Sequence, residues 1–251
     1  MSAGVTRQLI IALDFNRIDH AYGLARRLAS VAGLFKIGGQ LFTAGGPRAV
    51  KRLATLGPGI FLDLKFHDIP NTVAGAVSAA ARLPGVRLIT VHTLGGAEMM
   101  RAAVRALDAA GRRNKPKLLG VTILTSLNTA AMRRVSIAGP PGMRAVQLAR
   151  LAKGAGLDGV VASALDVAAI RRACGKKFLI VVPGVRPAGL GTAAKRFPVA
   201  DDQARIATPA EAIRAGADYI VVGRPITAAR DPRAAAAAIL EEIRLAQRQR
   251  I

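Results

Sequence analysis

The feature that most constrains the fold is a repeated alternation between short apolar runs and helical stretches. Stretches rich in Ala, Leu and Arg separate the runs and favour helix, for example 18–32, 47–56, 73–83 and 143–155. The last helix is predicted to begin at Asp231, a good capping residue, with Pro232 in its first turn. The eight apolar runs cover residues 9–13, 34–37, 60–64, 88–91, 118–124, 159–161, 178–182 and 219–222.

This alternation predicts a parallel sheet. Strands that are apolar along their whole length are buried on both faces, which happens when helices cover a parallel sheet. Eight strand–helix units in 251 residues fit an α/β fold of the (β/α)8 TIM-barrel type, with residues 1–251 forming a single domain. The alternative is a doubly wound open sheet, although no Gly-x-Gly-x-x-Gly motif follows the first strand.

Composition narrows the class of protein. The longest uncharged stretch, 118–132, carries Thr, Ser and Asn and is too short to cross a bilayer. No secretory signal layout is visible at the start, and the single cysteine allows no internal disulfide framework. We therefore expect a cytoplasmic protein without a membrane partner.

The net charge of +22 raises the possibility of nucleic-acid binding. The basic residues are scattered along the predicted helices, and the chain has no Trp and only 4% aromatic residues with which to stack bases. A basic nucleic-acid-binding protein is therefore an alternative that the composition does not favour. A positive field would also speed the capture of an anionic small molecule.

Charged and polar residues follow the apolar runs at the ends where a barrel builds its active site. Lys36 lies within the second run among apolar neighbours, so its ammonium needs a carboxylate partner, for which Asp63 and Asp68 are candidates. The residues at or near strand ends are Asp14, Lys36, Asp63, Lys65, Thr125, Arg186, Gly223 and Arg224.

The segment 63–68 carries two carboxylates and an ammonium within one short stretch. Because side chains alternate along a strand, Asp63 and Lys65 are predicted to point the same way, while Asp68 lies past the strand end. Two carboxylates at ~4 Å would repel by roughly 4 kcal/mol at an effective dielectric near 20. We therefore expect two carboxylates this close only where cations compensate their charge or where their repulsion has a function.

The loops after strands seven and eight predict a phosphate site. Barrels commonly bind phosphate there, glycine lets backbone amides approach it, and arginine can bind it bidentately. These loops supply Arg186, Gln203, Gly223 and Arg224. Two connections, 125–141 and 184–208, are long enough to be functional lids.

The order and spacing of these motifs resemble the orotidine 5′-phosphate decarboxylase family. The most specific motif is Asp-Leu-Lys-Phe-His-Asp-Ile-Pro-Asn-Thr at 63–72, since Asp-x-Lys-x-x-Asp alone also occurs in sugar-phosphate decarboxylases. The sequence departs from the family pattern at 38–40, Gly-Gly-Gln, without changing a charged position. Supporting segments are 12–14, 35–38, 124–126, 183–186, 202–205 and 221–227.

The resemblance implies conversion of orotidine 5′-phosphate to uridine 5′-phosphate and carbon dioxide, without a metal or organic cofactor. It assigns proton donation to Lys65, places Asp63 beside the departing carboxylate, and completes the charged array with Lys36 and Asp68. Asp63 would act either by repulsion or by holding Lys65. The substrate-binding residues implied are Asp14, Lys36, Asp63, Lys65, Asp68, Ile69, Thr72, Thr125, Ser126, Pro183, Arg186, Gln203, Gly223 and Arg224.

The resemblance also implies a homodimer whose active sites are shared. Asp68, accompanied by Ile69 and Thr72, would reach into the partner's site. The simpler alternative is that Asp68 folds back onto Lys65 of its own chain.

Two other points remain open at the level of sequence. A related barrel sugar-phosphate decarboxylase or aldolase, of a kind that needs a divalent metal, is the alternative with the same fold. Among the three histidines, which have no metal-ligand spacing, His67 is expected to pack behind the strand end. His92 could be either structural or functional.

Overall fold

The eight predicted strands form a closed parallel barrel in the computed structural model, which describes residues 3–111, 115–187 and 207–249. Each strand pairs with its neighbours in sequence, and β8 closes the barrel against β1. The TIM-barrel prediction is therefore confirmed. The strands are β1 Leu9–Ala12, β2 Leu34–Gly38, β3 Gly59–Phe66, β4 Val86–His92, β5 Lys117–Val121, β6 Gly159–Val161, β7 Leu179–Pro183 and β8 Tyr219–Val222.

Helices surround the barrel and connect successive strands. Short 3-10 turns at Thr93–Gly95 and Ala164–Asp166 follow β4 and β6. Within the described ranges, no helix combines the length and apolar character needed to cross a membrane. The helices are α1 Ala3–Thr6, α2 Ile18–Leu28, α3 Gly39–Ala54, α4 Pro70–Ala81, α5 Gly96–Ala109, α6 Thr129–Arg134, α7 Pro141–Gly154, α8 Val167–Cys174, α9 Pro209–Ala215, α10 Arg224–Thr227 and α11 Pro232–Arg248.

Strand residues alternate between two hydrophobic cores. Ile10 and Phe61 belong to the cluster that fills the barrel interior, whereas Ile11 and Leu62 pack in the larger layer between strands and helices. Both faces of each strand are thus buried, which explains why the strands read as continuous apolar runs. The polar residues are left at the strand ends.

Helix α3 and the connection after β5 differ most clearly from their predictions. Helix α3 begins at Gly39, well before the predicted residue 47, and is broken at Gly46, where φ is +52° and ψ is −149°. The break has a local cause, because Pro47 disfavours helical geometry at the residue before it and glycine tolerates positive φ. The connection after β5 holds the short helix α6, which Asn128 caps by accepting a hydrogen bond from the Ala131 amide at 2.9 Å.

The start of α11 agrees with its prediction. Asp231 Oδ1 accepts hydrogen bonds from the amides of Arg233 and Ala234 at 3.0 and 3.1 Å, and Pro232 is the first helical residue. The side chain therefore satisfies two amides that have no partner inside the helix.

Arg171 ties together the N-terminal ends of β7 and β8. Its guanidinium donates to the carbonyl oxygens of Gly175, Lys176 and Phe178 at 2.8, 3.0 and 2.6 Å. It also donates to Gly216 O at 2.8 Å and to Asp218 Oδ2 at 2.7 Å. A planar group with several fixed donors can satisfy all of these acceptors at once.

We expect Arg171→Lys to destabilise the barrel, because an ammonium cannot bridge acceptors on both sides of the guanidinium. The free energy of unfolding should fall by about 2 kcal/mol, the scale of one or two hydrogen bonds that involve a charged group. Chemical denaturation of the purified variant measures this loss.

The matched control is Arg172→Lys, since Arg172 is the exposed neighbour on the same helix. That variant should unfold as the wild type does. Equal midpoints and slopes for the two variants would show that the Arg171 contacts do not contribute to stability.

Candidate active site

Four charged side chains line up at the C-terminal ends of β1, β2 and β3. Lys36 Nζ lies 3.0 Å from Asp14 Oδ1 and 3.8 Å from Asp63 Oδ2. Lys65 Nζ lies 2.8 Å from the same oxygen of Asp63. The array therefore alternates in sign, in the order Asp14, Lys36, Asp63, Lys65. Repulsion between like charges is relieved because an opposite charge lies between each like pair.

Strand register brings these groups together. Lys36 pairs with Ala12 of β1, and Gly38 pairs with Asp63 of β3. Gly38 also leaves room for the ion pair, since a Cβ there would lie 3.0 Å from Lys36 Nζ and 3.4 Å from Asp14 Oδ1. The arrangement depends on pairing between distant segments, which is set by the closed sheet.

Burial divides the array into an inner and an outer part. The side chains of Lys36 and Asp63 are 13% and 10% exposed, whereas those of Lys65 and Asp14 are 40% and 53% exposed. The inner pair satisfies the requirement that a buried charge be compensated. The outer pair is accessible to a ligand at the barrel mouth.

The structure resolves the partner of Lys36, which the sequence left open between Asp63 and Asp68. Asp63 is a partner of Lys36, at 3.8 Å, but Asp14 is a closer one, at 3.0 Å. Asp14 was not among the partners predicted from the sequence. Asp68 lies beyond β3, and its Oδ1 accepts a hydrogen bond from the Ile69 amide at 2.6 Å. Asp68 makes no ion pair with Lys65 of the same chain.

The segment that follows β3 is open to solvent. Residues 67–72 are all exposed, and Ile69 is 65% exposed although its side chain is apolar. Thr72 lies in the first turn of α4. In the monomer, therefore, Asp68, Ile69 and Thr72 border the site without joining the charged array.

Strand β3 reaches the site through an irregularity. Leu62 pairs with Ile89 and Phe66 pairs with Val91, so residues 63–65 oppose the single residue Thr90. Lys65 has φ of +50°, a left-handed conformation that is uncommon for residues other than glycine. Asp63 and Lys65 do meet, as predicted, but through a bulge and not through regular alternation. Sequence reasoning passed over Thr90, which reads simply as part of an apolar run.

The candidate phosphate-binding residues lie after β7 and β8. Gly223 is the N-cap of α10 and Arg224 is its first residue; the amides of Ile226 and Thr227 donate to Gly223 O at 2.9 and 3.0 Å. A Cβ on Gly223 would lie 4.0 Å from Asp14 Oδ2, so barrel closure brings this glycine beside the charged array. Arg186 follows β7, and its amide donates to Ala207 O at 2.9 Å.

The remaining predicted residues occupy the same end of the barrel or lie outside the described ranges. Pro183 is the last residue of β7 and pairs with Val221. Thr125 and Ser126 lie between β5 and α6, at the C-terminal side of β5. Gln203 and most of the predicted lid at 184–208 lie outside the residues that the structure describes.

His67 and His92 stack beside Lys65. Their ring centroids are 5.2 Å apart with an interplanar angle of 18°, and His92 Nδ1 accepts a hydrogen bond from the Leu94 amide at 3.3 Å. Burial, with smaller effects of His67 and Lys65, lowers the pKa of His92 to about 4. His92 is therefore neutral near pH 7 and adds no positive charge next to the lysine.

The described segments 3–111, 115–187 and 207–249 offer no cluster of metal ligands. No three His, Cys, Asp or Glu side chains there form a group that could hold a metal ion. The four charged groups of the array are paired with one another.

Comparison with known proteins gives concordant results. Residues 7–239 match the model of the Orotidine 5′-phosphate decarboxylase / HUMPS family. Orotidine 5′-phosphate decarboxylase of Anaeromyxobacter sp. (strain K) is 54% identical over 234 residues, covering 93% of this chain and 97% of the relative. The protein of the same name from Geobacter sp. (strain M21) is 49% identical over 239 residues, covering 94% of this chain and 96% of the relative.

Solved structures agree with the sequence comparisons. Orotidine 5′-phosphate decarboxylase from Lactobacillus acidophilus superposes with a TM-score of 0.80 at 38% identity, covering 94% of this chain and 99% of the other. The enzyme from Pyrococcus horikoshii OT3 superposes with a TM-score of 0.73 at 26% identity, with the same coverage of each chain. Since a match over nearly the whole barrel accompanies a charged array at its C-terminal mouth, the chain belongs to the orotidine 5′-phosphate decarboxylase / HUMPS family.

Proposed function

We propose that this chain decarboxylates orotidine 5′-phosphate to uridine 5′-phosphate and carbon dioxide, the last step of uridylate synthesis in the pyrimidine pathway. The observation that carries the proposal is the alternating array of Asp14, Lys36, Asp63 and Lys65 at the barrel mouth. The curated relatives named for this activity support the choice of substrate. They also favour it over a metal-dependent sugar-phosphate decarboxylase or a nucleic-acid-binding protein.

Lys65 is the proposed proton donor. When the bond between the pyrimidine carbon and the carboxylate breaks, carbon dioxide leaves and the electron pair stays on the ring carbon. A proton from the Lys65 ammonium forms the new carbon–hydrogen bond, and the lysine regains a proton from solvent. The Lys65 side chain is 40% exposed, so its ammonium can approach a substrate, and its charge also stabilises the developing carbanion.

Asp63 is proposed chiefly to hold Lys65. Its Oδ2 lies between two ammonium groups, at 2.8 Å from Lys65 Nζ and 3.8 Å from Lys36 Nζ. Because these cations offset its charge, repulsion of the substrate carboxylate is weaker than for an isolated carboxylate. Positioning is therefore the role that these contacts support better, and Lys36 and Asp14 are proposed to contact the ribose hydroxyls.

The phosphate is proposed to bind between Gly223–Arg224 and Arg186, with Gln203 from the predicted lid. The proximity of Gly223 to Asp14 supports a nucleotide lying from the charged array toward the end of β8. Thr125, Ser126 and Pro183 remain the proposed contacts of the pyrimidine and its surroundings. Binding energy from the phosphate can then favour the transition state at the distant carbon.

The functional unit is proposed to be a cytoplasmic homodimer with shared sites. The apolar side chain of Ile69, 65% exposed beside Asp68 and Thr72, is the part of this segment that a second copy would cover. In a two-fold dimer the same segment of each subunit faces the other subunit. Asp68 would then complete the charged array of the partner.

Lys65→Ala should reduce turnover of orotidine 5′-phosphate by at least about 10³-fold, because it removes both the proton and the charge. Binding of uridine 5′-phosphate should survive, since the phosphate contacts remain. Loss of orotidylate absorbance measures turnover, and Lys51→Ala on the exposed face of α3 is the control. A variant retaining a tenth of the wild-type rate would overturn the assignment.

Arg224→Ala should lower kcat/KM for orotidine 5′-phosphate by about 10²-fold, as expected for the loss of charge-assisted hydrogen bonds to phosphate. For the nucleoside orotidine, which lacks the phosphate, kcat/KM should change little. Arg230→Ala, an exposed arginine in the next connection, is the matched control. Equal losses on both substrates would place Arg224 outside the phosphate site.

A mixing experiment tests whether Asp68 acts across the dimer. Lys65→Ala and Asp68→Ala should each be nearly inactive. After subunit exchange at equal amounts, about a quarter of wild-type activity should return, because half of the dimers are mixed and each has one intact site of two.

The control mixes Lys65→Ala with Lys36→Ala. Lys36 and Lys65 both contact Asp63 of their own chain, so both residues belong to the site of that chain. In a mixed dimer one site then lacks Lys65 and the other lacks Lys36, and neither site is intact. Activity should stay at baseline. If the Asp68 mixture also stays at baseline while exchange is verified, Asp68 acts within its own subunit or not at all.

A further inference from the structure

Thr90 places a hydroxyl directly beneath the charged array. The residue lies in β4 between Ile89 and Val91 and is fully buried. A buried hydroxyl without partners is costly, so a residue in such an apolar strand must use its hydrogen bonds. The Thr90 hydroxyl acts both as acceptor and as donor. Its Oγ1 accepts a hydrogen bond from the Lys65 amide at 2.9 Å and donates one to Asp63 Oδ1 at 3.1 Å.

The first of these bonds holds an irregular backbone. Residues 63–65 oppose Thr90 alone, and Lys65 has a φ of +50°. A left-handed conformation at such a residue is strained and persists only where its surroundings hold it. The Lys65 amide donates to the Thr90 hydroxyl and not to a strand carbonyl. Thr90 therefore helps to fix the position of the Lys65 backbone, and with it the start of the lysine side chain.

The second bond orients the carboxylate. With Oδ1 bonded to Thr90, Asp63 presents Oδ2 to Lys65 Nζ at 2.8 Å and to Lys36 Nζ at 3.8 Å. One hydroxyl thus fixes the backbone of the lysine and the rotation of the carboxylate that the lysine binds.

We propose that Thr90 is a positioning residue, which aims the Lys65 ammonium by holding the bulge and the Asp63 carboxylate together. The inference rests on the role proposed above for Lys65. A catalytic group displaced by about 1 Å can lose on the order of 10²-fold in rate. The hydroxyl of Thr90 is therefore expected to affect the chemical step more than substrate binding, since Thr90 lies beneath the array and away from the phosphate end.

Two substitutions separate the hydroxyl from the shape of the side chain. Thr90→Val keeps the shape and removes both hydrogen bonds, whereas Thr90→Ser keeps the hydroxyl and removes a methyl group. We expect Thr90→Val to lower kcat by about 10- to 100-fold with KM changed by less than about threefold. Thr90→Ser should keep kcat within about threefold of wild type, even if its melting temperature falls.

Thr93→Val is the matched control for deleting a buried hydroxyl. Thr93 Oγ1 donates to Val121 O at 2.7 Å and does not contact the array. Thr93→Val should lose stability but keep the wild-type kcat per folded site. Binding of uridine 5′-phosphate counts the competent sites in all three variants.

Three results would overturn the proposal: a Thr90→Val variant that keeps more than half of the wild-type kcat, a Thr90→Ser variant as slow as Thr90→Val, or a loss confined to KM. Failure of the underlying function is distinguishable, since it would appear as lack of turnover in the wild type or as full activity in Lys65→Ala.

Discussion

The carboxylate of Asp63, held between two ammonium groups, is the constraint on which the barrel mouth depends. The group is nearly buried, and a buried charge must be compensated by partners at close range. Lys36 comes from β2 and Lys65 from the end of β3, so the compensation requires the register of two strands and a bulge in one of them. The same contacts that make burial tolerable also line up the groups to which we assign the decarboxylation.

Closure of the sheet determines what lies next to this array. Because β8 pairs with β1, the glycine that follows β8 comes close to Asp14. An open sheet with the same strands would leave these two ends far apart. The barrel thus places the proposed phosphate site beside the acidic end of the array, and a nucleotide can span both.

The charge of the whole chain acts on a longer range than these contacts. A net charge of +22 favours the approach of a substrate that carries both a phosphate and a carboxylate. Within the array itself each ammonium lies beside a carboxylate, and His92 is held neutral beside Lys65. The positive field is therefore a property of the surface, whereas the proposed chemistry depends on local alternation of sign.

The sequence by itself determined the class of fold and the inventory of the site. Strand-length apolar runs and helical stretches are local patterns, so the eight strands could be predicted in their order, and the charged residues after them could be assigned to one end of the barrel. The resemblance carried by 63–72 then predicted the family, which the comparisons confirmed.

Only the tertiary structure decided which of these residues touch. Asp14 as the closer partner of Lys36, the bulge at Lys65 and the hydroxyl of Thr90 beneath it all depend on pairing between segments far apart in the chain. A polar residue within an apolar run looks the same in sequence whether its hydroxyl is structural or supports the site. The difference arises from strand register, which the closing of the barrel sets and no local pattern encodes.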